Sequence, residues 1–442
     1  MKFLFIFLFT QWGSDTRLTN DPNSSRLPIN NQRAIFVSND TIHIVWEENR
    51  DGNYEIYYKR SFNAGNSWSQ DIRLTNDPNL SMQPSISGSG SNIHLVWLDT
   101  RDGNWEIYYK NSNNGGNNWS IDKRLTNNSY YSYSPCISVS SSNIHVVWVD
   151  DRDGNEEIYY KKSNDGGNTW NNDLRLTNNP NTSTNPSIWS YGSNIHVVWQ
   201  DDRDGNYEIY YKKSNDGGNT WSNDIRLTSN PSNSLYPSIY GFSSNIHIVW
   251  VDDRDGNYEI YYKKSNDGGN TWSNDLRLTN NPQESFYPSI FVSGLNVHVT
   301  WTDSRDGNRE IYYKNSIDGG NTWSQDIRLT NNPNASQNSF LFASGTKIHL
   351  IWTDDRDGNW EIYYKKNPTG NEIEENEFKN NEDYSIKRNI FLNYLNFEDF
   401  ENVIYIYNIE GKILKEIKKE KNLSSNIYFI KYKNRIFKII KF

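Results

Sequence analysis

Cysteine is all but absent: Cys136 is the only one in 442 residues, so no disulfide can form within the chain and its core must hold the fold. Long apolar runs are also scarce. The one at the start, "MKFLFIFLF", has one basic residue followed by apolar ones, which reads as a short secretory segment over residues 1–10. It is too short to cross a bilayer, and no transmembrane span is expected elsewhere. Histidine is sparse and not scattered: His43, His94, His145, His196, His247, His298 and His349 follow one another at intervals of 51 residues. Residues that recur with a repeat belong to the scaffold, which disarms histidine as a candidate catalytic group.

Positive charge is in deficit, with a formal net charge of −9. Residues 372–442 hold 13 basic and 12 acidic groups, so the acidic excess, about −10, lies on residues 1–371. Such a surface is a poor partner for nucleic acid or an anionic membrane, and neither is expected.

What is abundant is β-branched and aromatic sequence in short segments. The copy starting at Arg175 reads "RLTNNPN", then "NPSIWSYGSN", "IHVVWQDDRDGN" and "YEIYYKKSNDGGNTWSNDI", each segment bounded by Gly, Asn, Asp or Pro. These are four strands, A to D. Asp204-Gly205 marks a tight hairpin between B and C, because a primed turn needs positive φ. A period near 50 with four strands predicts a β-propeller blade. Strands A to C occur seven times, the last in "SFLFASGTKIHLIWTDDRDGNWEIYYKKN", after which no D strand follows. Trp12–Asn20, "WGSDTRLTN", matches "WSQDIRLTN" at Trp68–Asn76, so the N-terminal strand is expected to complete the last blade. The fold class is therefore all-β: a seven-bladed propeller of four-stranded blades over residues 11–366, closed by its own N-terminus. Fourteen of the seventeen tryptophans fit this frame, seven on strand B and seven before strand D, and are assigned to packing.

Residues 367–387 are polar and acidic, a linker by composition, and residues 388–442 return to alternating apolar strands, expected to form a small C-terminal β-sandwich.

Two resemblances follow. "SNDGGNTW" at Ser163, repeated near-identically at Ser214, Ser265 and Ser316, resembles the Asp-box of sialidases and related propellers; the copies at Ser61 and Ser112 carry Asn63 and Asn114 in place of Asp. In that family the Asp-box is a structural turn remote from the active face. "IYIYNIEGKILKEI" (Ile404–Ile417) and "NIYFIKYKNRIFKIIKF" (Asn426–Phe442) resemble the type A sorting domain of the type IX secretion system, although Asn426 stands where Gly is usual. That resemblance implies a bacterial protein, secreted or attached to the outer surface, with the secretion machinery as partner of the C-terminal domain.

Sialidase-type catalysis requires an arginine triad, a tyrosine nucleophile with its glutamate, and an aspartate acid/base. Only Arg26-Leu27-Pro28 resembles the first arginine's motif; it falls inside a five-residue insertion unique to the first blade, with Arg33 nearby. At the Arg26 position other blades have Met82, Tyr133, Thr184, Leu235 and Phe286. If the chain is active, Arg26 and Arg33 are its candidates, and the alternative function is an exo-acting glycoside hydrolase of the sialidase type. The main expectation is a non-catalytic binding module whose ligand is glycan or protein. It rests on the face that carries the B–C hairpins and D–A connections. There the residue after Asp-Gly-Asn is Tyr54, Trp105, Tyr207, Tyr258 or Trp360, interrupted by Glu156 and Arg309, and Tyr133, Tyr236 and Tyr287 join from the connections. Rings among carboxylates and amides suit sugars, although such rings can equally cover neighbouring hairpins. Asp151, Asp153, Asn155 and Glu157 alternate as calcium ligands could, but a salt link from Arg152 explains them more simply; no metal or cofactor is expected.

Overall fold

The computed structural model describes residues 12–28, 33–345 and 347–367, and four C-terminal segments, 403–407, 413–418, 427–432 and 435–440. Its first part consists of seven antiparallel sheets, each ordered A-B-C-D from inner to outer strand. In blade 3 these are Ser132–Ser140, Asn143–Asp150, Glu157–Ser163 and Leu174–Arg175. Strand B, "NIHVVWVD", is buried on both faces because each blade lies between two others, and this explains its unbroken apolar run. The D strands hold two residues each, which keeps the outer edges short.

The ring closes as expected. Thr16–Arg17 pairs with strand C of blade 7, Thr16 opposite Tyr364 and Arg17 opposite Tyr363. Blade 1 is the exception in shape: its strand A is split into Ser25–Arg26 and Ile35–Ser38, both paired to strand B, on either side of the insertion.

Each of the seven apolar clusters straddles one blade junction, so the core is itself a ring. Its centre at every junction is the strand B tryptophan, from Trp46 to Trp352, at most 1% exposed. The 51-residue periodicity of His, Tyr, Gly and Trp has one cause. His145 Nδ1 shares a 2.7 Å hydrogen bond with the Tyr160 hydroxyl of its own blade. The Tyr160 ring then meets the edge of Trp221 from the next blade at 4.9 Å and fills the space beside Gly218. All seven histidines make this bond, at 2.6 to 2.8 Å. Burial holds their pKa values near 3 to 4, so they are neutral scaffold at any physiological pH.

The Asp-box is an acceptor-centred turn. Ser163 Oγ donates to Asp165 (2.7 Å) and accepts from the Gly167 amide (2.9 Å), while Asp165 accepts the Thr169 amide at 2.9 Å. Asn63 and Asn114 accept the corresponding amides of Ser67 and Asn118 at 2.9 Å, so the degenerate copies keep the turn: it needs an oxygen, not a charge.

In the C-terminal segments, Val403–Tyr407 pairs with Ile413–Lys418 and Ile427–Tyr432 with Arg435–Ile440, two antiparallel ribbons. Of the expected linker, Asn367 is the last residue of strand C of blade 7; its other residues, the secretory segment and the remainder of the expected β-sandwich lie outside the described residues.

Candidate functional site

The B–C hairpins are built on arginine. Arg152 forks onto Asp150 (2.6 and 2.5 Å), reaches Asp173 at 2.9 Å, and stacks 4.5 Å over Tyr159. Asp150 in turn accepts Trp148 Nε1 at 2.9 Å, which ties the hairpin to the core. On strand D, Arg175 pairs with the fully buried Glu157 at 2.7 Å. Each of the two buried carboxylates, Asp150 and Glu157, thus has an arginine of its own. The alternating oxygens weighed for calcium are also committed separately: Asp151 accepts the Tyr131 amide at 2.6 Å, Asp153 accepts the Tyr159 hydroxyl, and Glu157 accepts Arg175 and the Asn179 amide.

The same hairpins place the rings. The carbonyl of the residue after Asp-Gly-Asn accepts the first strand A amide of the following blade: Trp105 from Ser132 at 2.8 Å, Tyr207 from Ser234 at 2.7 Å, and Tyr258 from Ser285 at 2.8 Å. Strand A then bulges, with register shifts after Tyr133, Leu235 and Phe286, and with Tyr236 and Tyr287 at φ 53° and 54°. A ring from one blade is thereby set beside the bulge of the next. Trp105 lies 5.2 Å from Tyr131 and 5.7 Å from Tyr133, and remains 40% exposed. The Tyr133 hydroxyl donates to Glu156. Burial, then this bond, pushes Tyr133 above the ordinary phenol range, and the nearby Tyr207 hydroxyl adds to it. Tyr236 is also raised, by burial and then by Tyr287, Tyr258 and Tyr207 around it. Tyr236 and Tyr287 meet edge to face at 5.4 Å, Tyr287 meets Phe286 at 5.0 Å, and Arg309 sits 5.1 Å over Phe286 while donating to Gln337 at 2.7 Å. Trp105, Tyr133, Tyr207, Tyr236, Tyr258 and Tyr287 thus form one arc across blades 2 to 6. Tyr54 and Trp360, half-buried, stand outside it, and among the described residues no ring contact joins them to it.

Fourteen arginines of the propeller repeat with the blades, and Arg60 takes the place of the lysines such as Lys162 that hold the neighbouring Asp-box. That leaves Arg26, Arg33 and Arg309 as the non-periodic arginines of the propeller. Arg33 is spent inside the central channel: its Nη2 donates to Ile188 O at 2.7 Å and Ile239 O at 3.5 Å, with the guanidinium 5.0 Å from the Tyr240 ring. It shares that channel with Ile35, Phe291, Phe340 and Phe342. Arg26 is exposed and lies opposite Glu47 in the strand pairing.

Glu47 is the residue that the sequence reading missed. At its position, four residues after each histidine, other blades have Leu98, Val149, Gln200, Val251, Thr302 and Thr353, and this departure from the repeat was the available signal. Glu47 accepts the Gln83 amide at 2.9 Å across the blade 1–blade 2 junction, as Gln200 accepts the Tyr236 amide at 3.0 Å. Burial raises its pKa to about 7, against the smaller opposing effects of that amide and of Arg26. From pH 4.5 up to 7 the unfolded chain ionises this group while the folded one does not, so its contribution to stability falls as pH rises through that window. Glu47→Gln, which keeps the acceptor, should match the wild type at pH 4 and exceed it at pH 8, by about 2 kcal/mol after allowing for partial exposure. Denaturant unfolding across this range checks it; a difference that does not change with pH would show that folding leaves the Glu47 pKa where it is in the unfolded chain.

No protein-family model matches the chain, and no curated protein matches its sequence. Solved structures do match in fold. The polysaccharide lyase Uly1 superposes with a TM-score of 0.53 at 10% identity, over 76% of this chain and 89% of that one. The phage phi92 endosialidase superposes with a TM-score of 0.50 at 11% identity, over 94% and 80%. A Trypanosoma rangeli sialidase gives 0.48 at 13% identity, over 80% of this chain and 59% of its own. The shared property is the propeller fold.

Proposed function

We propose that this propeller is a glycan-binding module without turnover, and that its ligand lies on the aromatic arc of blades 2 to 6. The observation that carries this reading is the run of partly exposed rings from Trp105 to Tyr287, interspersed with Glu156 and the hairpin aspartates: flat apolar surfaces for C–H faces beside acceptors for hydroxyls. With the C-terminal segment taken as an export address, that face would be presented outside the cell. Trp105→Ala with Tyr207→Ala should abolish binding on a glycan array and leave the melting temperature within about 2 °C of the wild type, because half-exposed platform rings contribute little to the core. A large fall in melting temperature would instead make the arc a packing feature.

The alternative, an exo-acting glycoside hydrolase of the sialidase type, draws on the Arg26–Glu47 pair. An arginine clamp needs three convergent guanidinium groups, yet Arg33 is committed to the channel and Arg309 to Gln337. No release from a fluorogenic sialoside is expected. Release that disappears in Arg26→Ala would make this the correct reading.

A further inference from the structure

The charge around the arc bears on which glycan it would take. Four consecutive blade junctions are involved: Trp105 with Tyr131 and Tyr133 at the first, Glu156 at the second, Tyr207 with Tyr236 at the third, Tyr258 with Tyr287 at the fourth. Beside these rings stand carboxylates. Asp202 and Glu156 are close enough to raise Tyr207 further once burial has raised it, and Asp253 and Glu284 do the same to Tyr258. Asp202 and Asp253 each use one oxygen on a backbone amide of the connection that enters their own blade, Thr182 and Asn233, both at 2.7 Å. A carboxylate has about four acceptor positions, so acceptor capacity is left over. Among the described residues the hairpin arginines are tied to their own aspartates and the strand D arginines to carboxylates of the same hairpins, Arg226 to Asp204 and Glu208 and Arg277 to Asp255 and Glu259; the non-periodic arginine beside the arc is Arg309, at its far end and already bound to Gln337.

Resting on the binding reading above, we infer that the arc takes an uncharged linear polysaccharide, its sugars stacked on rings at successive junctions while their hydroxyls donate to Glu156, Asp202 and Asp253. An acidic polymer would place its carboxylates against these groups without counter-charge and be repelled. Neutral hydroxyls gain charge-assisted hydrogen bonds from the same groups. The several junctions, rather than one pocket, call for a chain rather than a terminal sugar.

Biolayer interferometry with the full-length protein tests this on immobilised glucomannan, xyloglucan, dextran and laminarin, against polygalacturonate, alginate and polysialate. Binding to at least one neutral polymer is expected, changing less than about twofold between about 50 and about 500 mM NaCl, since no ion pair is made. The acidic polymers should not bind at either salt concentration. A hexasaccharide of the bound polymer should bind at least about tenfold more tightly than the disaccharide, and Glu156→Gln should weaken binding about fivefold. Preference for an acidic polymer, or equal affinity for disaccharide and hexasaccharide, overturns the inference and leaves the binding reading standing. Binding to none of the seven polymers overturns both.

Discussion

Deleting residues 12–20 is expected to cause aggregation. This segment is the outer strand of blade 7, and without it strand C of that blade, Glu361–Asn367, becomes an open edge with unpaired amides and carbonyls. Two hydrogen bonds flank the short ladder, Gly13 N to Lys366 O and Leu18 N to Ile362 O, both 2.8 Å. A charge is also left behind. Glu361 is fully buried and is held by Arg17 at 2.7 Å and by the Thr19 hydroxyl; removing both leaves its carboxylate with Asn359 Nδ2 at 3.1 Å and the Asp21 amide at 3.2 Å and without its cation, a change that costs up to about 3 kcal/mol once the opened edge admits water. Asp15, which bridges Arg356 and Lys365 at 2.8 Å each, goes as well, together with Trp12, whose ring edge meets Tyr313 at 5.2 Å. Soluble yield and size-exclusion profile measure the outcome. A monomeric deletion variant with unchanged melting temperature would show that closure by the N-terminus is dispensable.

The repeat made most of this fold legible before any coordinate was considered. Seven histidines at one spacing gave the blade count, and the match of "WGSDTRLTN" to "WSQDIRLTN" gave the closure. What periodicity cannot reveal is partnership between repeats. The sequence gives no reason why His145, Tyr160, Gly218 and Trp221 should depend on one another, because the link runs from one blade to the next through space. The site was legible to a lesser degree for a related reason. The aromatic positions after Asp-Gly-Asn were visible, but what each meets depends on what the neighbouring strand A carries at its bulge: Tyr133 beside Trp105, Tyr236 beside Tyr207 and Tyr287 beside Tyr258, but Met82 and Gln83 beside Tyr54. Arg33 looked available because it is non-periodic, and it is engaged because the insertion carries it to backbone carbonyls of blades 4 and 5. Glu47 escaped notice because a charged residue on a strand is ordinarily solvated.

The dependence between blades leads to a contrast between two adjacent glycines. Gly217 and Gly218 both have left-handed backbone, φ 71° and 79°, so alanine at either is strained by about 1 kcal/mol. At Gly217 an added methyl meets nothing within 4 Å, and Gly217→Ala should cost little more than that strain. At Gly218 the methyl would overlap the Tyr160 hydroxyl and come within 2.8 Å of Cζ. Tyr160 is fully buried and cannot swing out without giving up its 2.7 Å bond to His145 and its edge contact with Trp221. Gly218→Ala should therefore cost about 4 kcal/mol or more, through overpacking together with a stranded polar group in the core. Tyr160→Phe removes the overlapping oxygen at the expense of the His145 bond, so the double variant should be less destabilised than the two single changes added together. Urea unfolding of the four variants measures both effects. If Gly217→Ala costs as much as Gly218→Ala, or if the double variant is fully additive, then backbone conformation alone selects the second glycine of the Asp-box and the contact between blades does not.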